Sequence, residues 1–212
     1  MVSADDVIEI LDALDAAGLT VWVDGGWGVD ALLGEERRAH DDLDVAIART
    51  DCDGAVAALA PLGFGPDEGE AKWWPARLVL RDGRGRQIDV HPLIFDDEGN
   101  GRQEFPEWVD WIDREADAYP ADGLRGVGRV GGRAVRCLTA EAQVLQHAYA
   151  DPDDVDYEDM TALADRFGVQ LPPAYSKRPG WVDGRRSVGI RSFVFHRAVA
   201  RPSMKRGRRD PS

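Results

Sequence analysis

Thr20-Val21-Trp22-Val23-Asp24-Gly25-Gly26-Trp27-Gly28, followed closely by Arg38-Ala39-His40-Asp41-Asp42-Leu43-Asp44-Val45-Ala46-Ile47, holds the densest chemistry in the chain. The β-branched and aromatic run at 20–23 reads as a strand. It leads into three glycines in four positions, where the backbone can turn tightly or approach a ligand. Residues 29–33 then read as a short helix closed by Gly34, and 43–47 as a second strand. Asp42 and Asp44 open that strand. Alternate residues on a strand share a face with Cα atoms roughly 6.6 Å apart, close enough for two carboxylates to hold a hard cation. The chain holds 28 aspartates and four Asp-x-Asp pairs, about what chance spacing gives, so position has to decide among them. Of the four, only Asp42/Asp44 starts an apolar strand after a glycine-rich turn.

Working outward, Ser3 is a candidate N-cap with Asp6 at the third helical position, and Val7, Leu11 and Leu14 recur at helical spacing before Gly18. Residues 54–62 read as a small-residue helix ending at Gly63. Two β-rich runs, 77–81 and 87–91, flank the turn-rich 82–85 and predict a hairpin. Residues 96–120 are polar and mostly loop, although Trp108, Trp111, Ile112 and Glu115 can share one face of a short helix. A second small hairpin is expected at 130–135. Thr139 can cap a helix through residue 149, and another helix covers 157–167, ending at Gly168. The acids between Asp151 and Asp159 suit a solvated helix start, where the dipole favours negative charge. Trp73 and Trp74 read first as packing, with stacking on a substrate ring as the alternative.

Within a length of 212 residues, 43% hydrophobic and 31% charged, the chain has room for one large domain, or a domain with a small accessory one. The expected division is 1–137, 138–175 and a basic, partly disordered tail at 176–212. From Ser176 onward there are eleven Lys or Arg against two acids, so the body carries more than the whole net charge of −13. An acidic body repels phosphate backbones and attracts amine-bearing small molecules, which disfavours a general nucleic-acid role. No apolar run is long enough for a membrane span and no secretory leader is visible, so a cytoplasmic address is expected. Cys52 and Cys137 lie far apart without zinc-ligand spacing and read as buried free thiols.

Asp89 sits between Ile88 and Val90 in a predicted strand, where a buried carboxylate needs a metal, a cation or donors. The bland alternative is an edge-strand acid facing water. If that strand lies beside the one bearing Asp44, three carboxylates converge. Three acids suit metal-assisted nucleotidyl transfer: two hold Mg2+ on the nucleotide phosphates and one takes the proton of an attacking hydroxyl. Gly25 and Gly26 would present backbone N–H groups to a triphosphate. His91 alternates onto the face of Asp89, and Arg38 and His40 are cationic donors just upstream of the acid pair.

With these motifs, and with Gly132-Arg133-Ala134-Val135-Arg136-Cys137-Leu138, Ala140-Glu141-Ala142-Gln143 and Phe167-Gly168 in order behind them, the chain resembles the lincosamide and aminoglycoside nucleotidyltransferases of the DNA polymerase β-like nucleotidyltransferase superfamily. The resemblance implies an α+β fold: a polymerase β-like core with a mixed sheet, followed by a small C-terminal helical region. It implies transfer of a nucleoside monophosphate, usually AMP from ATP, to an antibiotic hydroxyl. Asp42 and Asp44 fall on the Mg2+ ligands, Asp89 on the candidate base or a further ligand, and Gly25 and Gly26 on the phosphate-lining glycines. Arg38 and His40 fall on an Arg-x-His element placed near the phosphates. The expected partners are an NTP and a hydroxyl-bearing small molecule, with no nucleic acid and no membrane, and with a homodimer left open. The competing readings are transfer to another metabolite or a protein hydroxyl, and a catalytically silent nucleotide-binding regulator.

Overall fold

The computed structural model describes residues 1–109, 118–148 and 152–176. Five helices are present among these: α1 (Ala4–Ala16), α2 (Gly25–Leu33), α3 (Cys52–Leu59), α4 (Ala140–Gln146) and α5 (Asp154–Phe167). The strands are β1 (Val21–Asp24), β2 (Leu43–Ala48), β3 (Gly65–Pro66), β4 (Leu78–Arg81), β5 (Gln87–Phe95), β6 (Gly101–Arg102), β7 (Ala118–Tyr119), β8 (Gly126–Val130) and β9 (Arg133–Cys137). The main sheet runs β3-β4-β5-β2-β1-β9-β8, with β6 and β7 continuing from the far end of β5. β2 and β5 are parallel, as are β1 and β9, while β1 and β2 are antiparallel, so the sheet is mixed. The expected α+β fold with a C-terminal helical region is what the chain adopts.

Period-two alternation decides what each face of the sheet carries. Val21 and Val23 of β1, Leu43, Val45 and Ile47 of β2, and Ile88 and Val90 of β5 are buried with Val7, Ile10, Leu11 and Leu14 of α1 and with Ala55 and Leu59 of α3. The intervening residues, Asp24, Asp44 and Asp89, are thereby turned to the opposite face. α1 starts at the expected capping box, in which Ser3 and Asp6 exchange side-chain and backbone hydrogen bonds. α4 and α5 pack on α2 through Val29, Val144, Tyr157, Met160 and Leu163. Both cysteines are free and buried, and burial pushes the Cys52 thiol up to about 11. No helix among the described residues is long and apolar enough to cross a membrane.

Several boundaries differ from the sequence reading. α2 begins at Gly25 rather than near residue 29, so the glycine bend is itself the first turn of a helix, capped by Asp24, whose carboxylate accepts from Gly25 N–H at 2.7 Å. α3 starts at Cys52 and gives way to a 3-10 turn at Ala60–Leu62, because Pro61 cannot continue the hydrogen-bond ladder. The second hairpin begins at Gly126, not at 130, since Gly126 and Gly128 occupy places where a side chain will not fit: a Cβ on Gly128 would lie 2.8 Å from that of Ala31. α5 begins at Asp154, where Asp153 supplies a capping box with Asp156. α4 stops at Gln146, and residue 149 lies outside the described residues, as do Trp111, Ile112, Glu115 and the basic tail. Of the expected 96–120 loop, two short segments are strands, β6 and β7.

Candidate active site

Strand register assembles the acids. Asp24 of β1 lies directly opposite Asp44 of β2, and Asp44 is paired with Asp89 of β5, so three carboxylates form one row across three adjacent strands. All three are almost fully buried. The edge-strand alternative for Asp89 is excluded, because β5 lies between β4 and β2. Asp42, one step before β2, bears on the same point: its charge acts on Asp44, and that of Asp89 acts on both.

Burial and mutual repulsion raise two of these acids. The Asp42 carboxyl is pushed up to about 6 by burial first and then by Asp89 and Asp41. Asp44 is held well above its ordinary range by burial, then by Asp42, Asp89 and Asp24. Asp24 goes the other way: burial opposes its charge, but the hydrogen bond and charge of His91, with the Gly25 N–H, hold it below the usual carboxylate range. His91 stands between them, its Nδ1 3.4 Å from Asp24 Oδ2 and its Nε2 3.6 Å from Asp44 Oδ1. The Tyr119 hydroxyl closes the group, 3.4 Å from Asp24 Oδ2 and 3.3 Å from His91 Nδ1.

Asp89 differs from its neighbours in being already engaged. Arg77, 5% exposed, donates to its Oδ2, and Gln87 Nε2 donates to Oδ1 at 2.7 Å. Asp44 Oδ1, in contrast, is buried without a hydrogen bond. Two raised carboxylates with such an oxygen fit a hard dication, which prefers oxygen ligands and would reverse the repulsion. Among the described residues no three acidic, His or Cys side chains already stand at metal-binding spacing, in keeping with Asp89 being turned to Arg77.

The other expected residues form a second cluster over the first turn of α2. Gly25 has φ +57°, and Gly26 has room for no side chain: a Cβ there would lie 2.6 Å from His40 Nδ1. The space is filled by His40 and by the Arg38 guanidinium. His40 is buried, tilted against Trp27 with ring centroids 4.5 Å apart, and 2.6 Å from Asp30 Oδ2 through Nε2. Arg38 Nη1 lies 3.1 Å from His40 Nδ1, while Nη2 donates to Asp159 of α5 at 2.9 Å. Gly26→Ala should therefore displace a wedged imidazole, destabilising the protein by about 1–3 kcal/mol, and urea denaturation of the two proteins measures this.

Arg77, Asp24, Asp30 and Tyr119 were not singled out by the sequence reading, and Asp159 was assigned to a solvated helix start. It is instead 6% exposed and ion-paired to Arg37 and Arg38. For two of them, Asp30 and Asp159, the spacing carries a signal. Asp30 follows Gly26 by one helical repeat, and Asp159 precedes the buried Leu163 by the same interval. The expectation that Trp73 packs is met, since it is buried with Ala76, Phe105 and Val109, while Trp74 is 43% exposed.

The mixed sheet presents its aspartates beside a glycine-started helix, and solved structures that share this fold are nucleotidyltransferases. A family model described as aminoglycoside-2''-adenylyltransferase matches residues 6–163, and the chain belongs to that family. It is similar to a lincosamide resistance protein of Staphylococcus haemolyticus, 28% identical over 76% of this chain and 94% of that one. It is also 28% identical to a 2''-aminoglycoside nucleotidyltransferase of Klebsiella pneumoniae, over 66% of this chain and 70% of the relative. A lincomycin-bound crystal structure of a lincosamide antibiotic adenylyltransferase superposes with a TM-score of 0.63 at 28% identity, covering 76% of this chain and 96% of the other. The ANT(2'')-Ia complex with adenylyl-2''-tobramycin shares the fold, with a TM-score of 0.60 at 24% identity over 77% and 88%. The expectation of an enzyme of the antibiotic nucleotidyltransferase kind is borne out.

Proposed function

We propose that the protein transfers AMP from ATP, with Mg2+, to a hydroxyl of a small antibiotic, a lincosamide before an aminoglycoside. The observation that carries the reading is the in-register row Asp24, Asp44 and Asp89, with Asp42 beside it and one Asp44 oxygen buried without a hydrogen bond. The preference for a lincosamide rests on the match extending over 94% of the lincosamide resistance protein. The acidic body favours the second reading, a polycationic aminoglycoside.

Asp42 and Asp44 are the side chains that would hold Mg2+, which when bound supplies positive charge to the α-phosphate during displacement. Asp89 takes the proton of the acceptor hydroxyl; each of its oxygens accepts one hydrogen bond in the structure and retains a free lone pair. Arg77 and Gln87 keep that carboxylate from rotating. The acceptor oxygen forms its bond to the α-phosphorus as the bridging oxygen leaves with pyrophosphate, so no covalent enzyme intermediate is needed. Arg38, which lies over the first turn of α2, would offset the negative charge of the departing phosphates. A nucleotide co-substrate is in keeping with a cytoplasmic setting.

The test is pyrophosphate release by the purified protein with ATP and Mg2+, with lincomycin, tobramycin or no acceptor. Release should require an antibiotic, and the product should gain one AMP by mass spectrometry. ATP affinity without release for any acceptor would instead support a silent nucleotide-binding regulator.

A further inference from the structure

The Arg38 guanidinium lies over Gly26, at the end of α2 where the helix dipole is positive. A flexible cation is not retained there without anchors, and two are visible. The first runs through α2 itself. An arginine N–H can donate only to a lone pair, so the 3.1 Å contact from Arg38 Nη1 to His40 Nδ1 requires His40 to carry its ring proton on Nε2. That Nε2–H points at Asp30 Oδ2, 2.6 Å away, and Asp30 also accepts from Arg37 N–H at 3.1 Å. Trp27 packs, tilted, against the imidazole and limits its rotation. The second anchor comes from α5, where Asp159 accepts from Arg38 Nη2 at 2.9 Å. Between them the two anchors take one nitrogen each at the tip of the guanidinium, while Nε is buried with no hydrogen-bond partner.

We infer that Asp30, acting through His40, and Asp159 are positioning residues that aim Arg38 at the phosphates of the nucleotide. This rests on the reading of Arg38 as a phosphate ligand. Asp30 fixes the imidazole in the one tautomer whose free lone pair faces Arg38. Asp159 makes the C-terminal helix part of the nucleotide site, although it supplies no atom to the reacting groups. An arginine held at two points binds a phosphate without first losing its own freedom of motion.

The test uses the full chain and ATP as the probe, with affinity measured by calorimetric titration in the absence of acceptor and KM values measured in turnover. Asp30→Asn and Asp159→Asn should each weaken ATP binding about tenfold, raise KM for ATP in parallel, and leave KM for the antibiotic in place. A merely structural role would not split the two KM values. In the background of Arg38→Ala, neither substitution should weaken ATP binding further, because the group they aim is gone. Weakening that adds to that of Arg38→Ala, or unchanged affinity in both folded single variants, would overturn the inference. Unchanged ATP affinity in Arg38→Ala alone would remove Arg38 from the phosphate site and sink the reading beneath it. Should Asp30→Asn fail to fold, Asp159→Asn, whose partners Arg37 and Arg38 are themselves partly exposed, carries the same cycle.

Discussion

Asp44→Asn should lower nucleotidyl transfer by two to three orders of magnitude, on the order of the loss of one transition-state charge contact, while making the metal-free protein harder to unfold. The two effects have one cause. Asp44 is 2% exposed, one of its oxygens accepts no hydrogen bond, and Asp42, Asp89 and Asp24 all repel its charge. An amide of the same shape removes the repulsion and keeps the packing, stabilising the fold by about 1–3 kcal/mol at neutral pH. The sign follows from linkage. Carboxyls raised in the folded state bind protons that the unfolded chain has released. Their contribution is therefore fully present below about pH 4, the unfolded value, and is lost as pH rises through the folded value, about 6 for Asp42. Asp24 and Asp82, both lowered, act in the opposite sense and at lower pH. Melting temperatures of the chelator-treated wild type should fall between about pH 4 and 7, and the variant should fall less. Adding Mg2+ should raise the melting temperature of the wild type and not that of Asp44→Asn. A wild type unmoved by Mg2+ would remove the metal role of this pair.

The parts of the fold that follow from local spacing were legible. Ser3 with Asp6 fixes the start of α1, and alternation puts Asp42 and Asp44 on one face of their strand, opposite the buried Leu43, Val45 and Ile47. That Asp44 and Asp89 stand side by side was an expectation with an alternative, because a parallel pairing joins strands far apart in sequence and nothing local sets its register. Residues 25–28 read as a bend because their glycines let the backbone turn tightly or approach a ligand, yet they form the first turn of α2, where packing outweighs propensity. Gln143 of α4 occupies the space a side chain on Gly28 would need, and Arg38 and His40 fill that over Gly26. The glycines are therefore explained by neighbouring side chains as much as by a ligand. Arg77 was invisible for a different reason. Arginine is abundant throughout, and only the hairpin geometry brings this one onto Asp89.

Arg77→Ala should be among the most damaging single substitutions outside the apolar core, and the damage should be relieved by a second mutation that removes a charge. Arg77 is the buried cation in contact with Asp89, is itself 5% exposed, and also pairs with Glu70 at 3.2 Å. Its charge opposes the rise of both Asp42, where His40 also acts, and Asp44. Removing one member of a buried ion pair leaves the other uncompensated, a loss of about 3–5 kcal/mol. Here the residue left behind is one of three adjacent carboxylates, so the loss should grow as pH rises past the point where Asp42 ionises. Asp44→Asn in the same chain should recover part of the stability, because one fewer carboxylate then needs the cation. Asp89→Asn should recover more, since it replaces the very group that lost its partner. Denaturant midpoints of the single and double variants at about pH 5 and 8, on either side of the Asp42 transition, decide the matter. An Arg77→Ala loss that is independent of pH and unrelieved by either aspartate change would mean that the arginine acts through packing alone, and that the acids are balanced by something other than its charge.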